Sequence, residues 1–171
     1  MATLTLTCIG DDRPGLVSDL SGVVRAHEGS WERSQMARLA GKFAGILQVE
    51  VPDAGVQALL DDLDGLARVG LLVTVERTDV PEGRAAQRLD LELLGADHPG
   101  IVAEISASLA GRGIGIEELT TGLREAPMAG GLLFEARAVL DVPAGLGTDE
   151  LRAMLEGLAD ELLVDIALTE G

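Results

Sequence analysis

The stretch GDDRPGLVSDLSGVV at residues 10–24 returns as GADHPGIVAEISASL at residues 95–109, a displacement of 85 positions. The register extends outward from it. Trp31-Glu32 matches Ile116-Glu117 at the same displacement, and each half later carries a Val-Pro pair, Val51-Pro52 and Val142-Pro143. A repeat of this length exceeds a solenoid unit and fits two small domains built on one plan. The polar, Pro- and Gly-containing stretch TDVPEGRAAQ lacks apolar periodicity, so domains at 1–77 and 88–171 are expected, with a linker at 78–87.

Within each half, the segments before the repeated turn alternate apolar with polar residues: Thr3 to Ile9 and Arg88 to Leu94. Period-2 alternation predicts a strand with one buried face. After the turn, Leu16, Val17, Leu20, Val23 and Val24, and likewise Ile101, Val102, Ile105 and Leu109, recur at helical spacing. Pro14 and Pro99 are placed in the opening turn of that helix, where a missing N–H is harmless, and Asp12 and Asp97 are expected to cap it. The helix is expected to stop at Gly29 or Gly113. Extended segments follow at Trp31 to Ala40 and Phe43 to Val51, and at Ile114 to Arg124 and Gly130 to Val142, the first pair joined by a hairpin turn at Gly41-Lys42. A second amphipathic helix through Val56, Leu59, Leu60 and Leu63, or Leu151, Met154, Leu155 and Leu158, precedes closing strands Leu71 to Arg77 and Leu162 to Thr169. Each half therefore reads β-α-β-β-α-β. The fold class is α+β, as two tandem ferredoxin-like domains with antiparallel sheets and helices on one face. A domain of roughly 80 residues buries only about 60 % of its unfolded surface, so packing against the other half or against a second copy, a homodimer, is expected.

The 171 residues carry 29 Asp and Glu against 13 Lys and Arg, a formal charge of −16. Such a surface repels phosphate backbones and anionic lipid, which argues against direct nucleic-acid binding. Only Trp31, Phe43 and Phe134 are aromatic, which removes the stacking platform of single-strand binders. No apolar run approaches the ~18 residues of a membrane span, and MATLTLTCIG lacks a basic start, so no membrane partner and a cytoplasmic location are expected. Cys8 is the single cysteine, which excludes disulfides within the chain and Cys-paired zinc; no cofactor or metal is expected.

The two Asp-x-Pro-Gly turns carry the most chemistry. A Gly after Pro at a helix start leaves the first N–H groups uncovered by any Cβ, and the helix dipole adds partial positive charge there. Such a turn suits a small carboxylate. The plainer alternative is a Pro-Gly that only starts a tightly packed helix.

DRPGLV at 12–17 and DHPGIV at 97–102, each followed by a helix, a Gly turn and WERS or IEEL, resemble ACT domains. The tandem arrangement and the run WERSQMARLAGKFAGIL at 31–47 resemble the glycine cleavage system transcriptional repressor family. The resemblance implies a non-enzymatic regulatory protein that binds a small amino acid, glycine or serine first among them. It would act through a protein partner such as a LysR-type activator. It also implies a ligand pocket built from the turn before the first helix and the start of the second strand. Here those residues are Asp12, Arg13, Pro14, Gly15, Ser30 and Trp31 in one half. In the other they are Asp97, His98, Pro99, Gly100, Ile101, Ile114, Gly115 and Ile116. Gly115 stands where ACT domains often place Asn, and Gly29-Ser30-Trp31 reads one residue shorter than its counterpart. The alternative function is a ligand-free module for protein–protein assembly.

The remaining candidates are weaker. His98 has no nucleophile beside it and reads as a turn imidazole with a local hydrogen bond. His27, near a helix C-terminus, is expected to meet the last carbonyls. Glu117-Glu118 on a strand point to opposite faces, and Asp61-Asp62 read as a solvated helix face. Trp31 suits a pocket or an interface and, at least as well, the core, and Cys8 reads as a buried small apolar residue.

Overall fold

The computed structural model describes residues 1–78, 87–128 and 130–170, and divides into two compact units, Met1–Pro81 and Glu82–Gly171. The first unit runs β1 (Ala2–Asp11), α1 (Leu16–Ala26), β2 (Ser30–Leu39), β3 (Lys42–Val51), α2 (Val56–Gly65) and β4 (Leu71–Arg77). The second runs β5 (Gln87–Ala96), α3 (Ile101–Ala110), β6 (Gly115–Glu125), β7 (Leu132–Val142), α4 (Thr148–Leu162) and β8 (Val164–Glu170). The sheets have the strand orders β2-β3-β1-β4 and β6-β7-β5-β8, antiparallel throughout. Each unit is thus the expected β-α-β-β-α-β, with its first strand, β1 or β5, inside the sheet and flanked on both sides.

The alternation on β1 sends Leu4, Leu6 and Cys8 into a core with Leu47, Val49 and Val51 of β3. α1 covers it with Leu16, Leu20 and Val24, and α2 with Val56, Leu59 and Leu63. The second core repeats this with Leu89, Leu91 and Leu93, Ile101, Ile105 and Leu109, and Leu151, Leu155, Leu158 and Leu162. At about 1.5–3 kcal/mol for each fully buried Leu or Val, these stripes dominate the stability of units this small. No polar or charged side chain is buried among the described residues, so all the chemistry lies at the surface.

Several boundaries shift for local reasons. The hairpin turn is Ala40-Gly41 (φ 49 and 77), one residue earlier than expected, because a two-residue type I′ turn needs two left-handed residues and Lys42 is already paired with Leu39. α1 ends at Ala26 rather than Gly29. Glu28 takes φ 56, and Gly29 N–H closes back on the Val24 carbonyl at 2.9 Å. In the second unit α3 ends at Ala110, Gly113 takes φ 70, and Ile114 N–H closes on the Leu109 carbonyl at 3.1 Å. Both are left-handed helix ends of one length, so the first half is not one residue short: Glu28 stands where the second half has Gly113. Leu162 belongs to α4 rather than to the last strand, which opens at Val164 after left-handed Leu163. Gly130 and Gly131, both at positive φ, precede β7 rather than lying in it.

Thr78 is tied to the first unit through Thr3 and Thr5, and Gln87 opens β5. The rest of the expected linker, 79–86, lies outside the described residues.

Candidate functional site

Gly15 and Gly100 hold the same backbone, φ 96, ψ −7 and φ 98, ψ −8. Pro-Gly is therefore a turn before the helix and not its first helical residues, which corrects the placement of Pro14 and Pro99. Only glycine takes this left-handed conformation without strain. The carbonyls of Gly15 and Gly100 accept the first helical bonds, from Asp19 N–H (2.8 Å) and Glu104 N–H (2.9 Å). No side chain caps either helix. Asp12 and Asp97 fail as caps because their backbone is held toward the hairpins: Asp12 N–H donates to Gly41 and Asp97 N–H to Leu132. The Asp12 carboxylate meets Arg38 at 3.3 Å instead.

The residue between Asp and Pro spans two elements. The Arg13 guanidinium donates to the Val69 carbonyl (3.2 and 3.0 Å) at the end of the helical stretch after α2, to the Pro14 carbonyl (3.2 Å) and to Asp19 (2.7 Å). Half-buried His98 stands in the same place in the second unit, between the carbonyls of Pro99 and of Leu162 at the end of α4, each at 3.1 Å. Glu104, the counterpart of Asp19, brings a carboxylate oxygen to within 3.4 Å of where a Cβ on Gly100 would sit. Each helix N-terminus is thus already faced by a carboxylate, which in the first unit Arg13 neutralises.

The other half of the expected site stands elsewhere. β2 starts where α1 ends, so Ser30 and Trp31 are separated from the Asp12–Gly15 turn by the length of an 11-residue helix, about 16 Å. Ile114, Gly115 and Ile116 are likewise at the far end of α3. Ile101 and Ile114 turn their side chains into the core. Trp31 is half-buried against the first core and donates from Nε1 to Ser34 Oγ at 3.2 Å. It also lines an open groove of about 420 Å³ beside α1, with Ser18, Ser21, Gly22, Arg25 and Gly29. Ser18, Ser21 and Arg25 were not among the expected site residues, although their spacing along α1 marks one face of a helix. The equivalent positions in the second unit are mostly apolar, Ala103, Ser106, Ala107, Ala110, Ile114 and Ile116. Val102, Ser106, Leu109, Ile116, Leu119 and Phe134 line a cleft of only about 30 Å³ between α3 and β6.

No catalytic arrangement emerges from the remaining polar residues among those described. His27 pairs through Nε2 with Asp62 of α2 at 2.8 Å instead of reaching helix-end carbonyls. Asp61 accepts from Gln57, and Glu117 pairs with Arg88 at 3.0 Å. Glu117 occupies a bulge of β6, as Glu32 does in β2, so simple alternation does not place the Glu117-Glu118 pair. Burial pushes the Cys8 thiol up, which leaves it inert. Among the described residues no group of His, Cys, Asp and Glu is arranged to hold a metal, and no helix is long and apolar enough to cross a membrane.

Comparison with known proteins fits this geometry. Residues 2–76 match the ACT domain family. Over 99 % of its length the chain resembles an unknown protein from Galdieria sulphuraria, with 30 % identity, 98 % of that chain covered and a TM-score of 0.88. A protein provisionally assigned as a glycine cleavage system transcriptional repressor shares the fold, at 18 % identity over 98 % of this chain and 96 % of its own, with a TM-score of 0.76. No curated protein sequence matches. The chain belongs to the ACT-domain family, as a tandem of two such domains.

Proposed function

We propose that the chain is a non-enzymatic, amino-acid-binding regulator of the glycine cleavage repressor type, acting in the cytoplasm through a protein partner such as a LysR-type activator. The observation that carries this reading is the same uncapped, left-handed Pro-Gly turn at the start of α1 and α3 in a chain of the ACT family. Its ligand is a small amino acid, glycine or serine, whose carboxylate takes the turn N–H groups. The turn and the start of β2 lie at opposite ends of one helix, so a site that unites them needs a second copy of the chain. Ligand binding is then coupled to assembly, which is how such a module signals. Asp97 to Gly100 with Ile114 to Ile116, and Asp12 to Gly15 with Ser30 and Trp31, are the residues offered for that site.

Assembly without a ligand is the second reading. Val102, Ile116, Leu119 and Leu123, between about a third and a little over half exposed, give α3 and the edge strand β6 an apolar border that suits a second copy. Calorimetric titration with glycine, serine and a panel of amino acids decides between the two. Binding is expected to raise stability by about 2.7 kcal/mol at 100 times Kd. Flat heats with an unchanged melting temperature at millimolar concentration favour assembly alone.

Regulation through a partner also predicts that the purified protein leaves duplex DNA unshifted at physiological salt, since few cations stand against the charge of −16. A salt-sensitive gel shift by the protein alone overturns that part of the reading.

A further inference from the structure

The duplication built one connection twice with different chemistry. Val69 and Leu162 are each the last residue before a left-handed one, Gly70 (φ 85) and Leu163 (φ 56), so their carbonyls belong to the unsatisfied C-terminal end of a helical stretch. In the first unit that end is tied to the Asp-x-Pro-Gly turn by Arg13, whose charge is permanent. In the second unit the tie is an imidazole with an acceptor on each nitrogen, the Pro99 carbonyl at Nδ1 and the Leu162 carbonyl at Nε2. Carbonyl oxygens only accept, and a neutral imidazole has a single N–H to give. One of the two contacts then sets lone pair against lone pair, whereas imidazolium donates to both.

We propose that His98 is a proton-operated latch that holds the Asp97–Gly100 turn to the carbonyl end of α4, closed while the ring carries both protons and opened when it loses one. The groups facing the ring are the two carbonyls, the Glu104 carboxylate of α3 and the Asp97 carboxylate of the turn, and α4 adds the negative end of its dipole. The hydrogen bonds to Pro99 and Leu162 are the largest influences, the two carboxylates reinforce them, and partial burial opposes them; together they hold the His98 pKa above its ordinary value. A raised folded-state pKa means that the latch is fully closed below the unfolded value near 6.5 and is lost as pH rises through the folded one. The turn of the second unit loosens toward alkaline pH, while that of the first, tied by Arg13, stays closed. The latch does not depend on ligand binding, so either idea survives the failure of the other.

The test is an NMR titration of the isotopically labelled full chain from about pH 5.5 to 9, following the two histidine rings and the backbone amides, with H27Q assigning the rings. The His98 ring is expected to titrate with a midpoint above 6.5, and the amides of Gly100, Leu163 and Val164 to move with the same midpoint. Those of Gly15 and Gly70 do not follow it. H98Q removes the step, and H98R holds the turn amides at one position across the range. A His98 midpoint at or below 6.5, or Gly100 and Leu163 amides that stay fixed while the ring titrates, overturns the latch. The wild-type titration alone decides between these outcomes, so the proposal does not depend on either His98 variant folding.

Discussion

Gly10→Ala destabilises the first unit by about 3 kcal/mol, the upper end of the usual overpacking range. A Cβ on Gly10 would sit 2.3 Å from the Gly70 carbonyl oxygen and 3.4 Å from Leu71 Cα. Gly10 pairs with Leu71, so that oxygen cannot retreat without pulling β4 out of register with β1. Gly95, its counterpart, would bring a Cβ to 2.4 Å from Val164 Cγ1, 2.8 Å from its Cβ and 3.0 Å from its Cα. Rotating Val164 relieves only the first of these, so Gly95→Ala costs about 2 kcal/mol. Gly22→Ala is the control of opposite sign: its Cβ meets nothing within 4 Å in the middle of α1, and helix propensity favours Ala by about 0.8–1.0 kcal/mol. Trp31 is the single tryptophan, so its fluorescence reports the first unit during urea or thermal unfolding. For a domain of this size a loss of 3 kcal/mol lowers Tm by more than about 10 °C. A Gly10→Ala protein within a few tenths of a kcal/mol of wild type refutes the close-approach reading of that glycine.

The same pair shows what the sequence could and could not reveal. Element type and order were legible because each rests on local periodicity: Leu4, Leu6 and Cys8 at period 2, Leu16, Leu20 and Val24 at helical spacing, with the duplication checking each against the other. The first glycine of the repeated turn looked like part of the turn, yet its reason is a strand neighbour some 60 residues away in sequence. Turn chemistry misled in a similar way. Pro followed by Gly fits both an opening helical turn and a left-handed turn before the helix, and only the backbone angle separates them. The candidate site was half legible, since the turn residues are contiguous. The distance of Ser30 and Trp31 from that turn was not, because sequence adjacency to the helix end says nothing about the 11 residues of α1 that intervene. Arg13 and His98 showed no relation to Val69 and Leu162, because a cation meeting a helix C-terminus leaves no spacing to read.

Gly15→Asp abolishes amino-acid binding and Gly100→Asp weakens it less. With ordinary helical angles, an added carboxylate at either position would be neutral or favourable to folding. At φ 96 and 98, however, any side chain is strained, by about 1–3 kcal/mol, though Asn and Asp tolerate the left-handed region better than most. Gly15→Asn and Gly100→Asn therefore serve as matched controls that share the strain and lack the charge. Loop length does not distinguish the two turns, since Glu28 and Gly113 end the two helices alike. Electrostatics now decides. In the first unit Arg13 neutralises Asp19 at 2.7 Å and leaves the dipole of α1 unopposed, whereas in the second Glu104 faces a ring whose charge changes with pH. The first turn is the better carboxylate seat, and a second carboxylate there about 4 Å from the ligand's own costs about 4 kcal/mol at an effective dielectric of 20. That exceeds the roughly 2.7 kcal/mol of a 100-fold loss. With glycine or serine as the titrant and circular dichroism confirming the fold, Gly15→Asp is expected to lose at least about 100-fold in affinity and Gly15→Asn about tenfold or less. A folded Gly15→Asp protein that binds with wild-type affinity removes the first turn from the site, and a larger loss in Gly100→Asp returns the seat to the second unit.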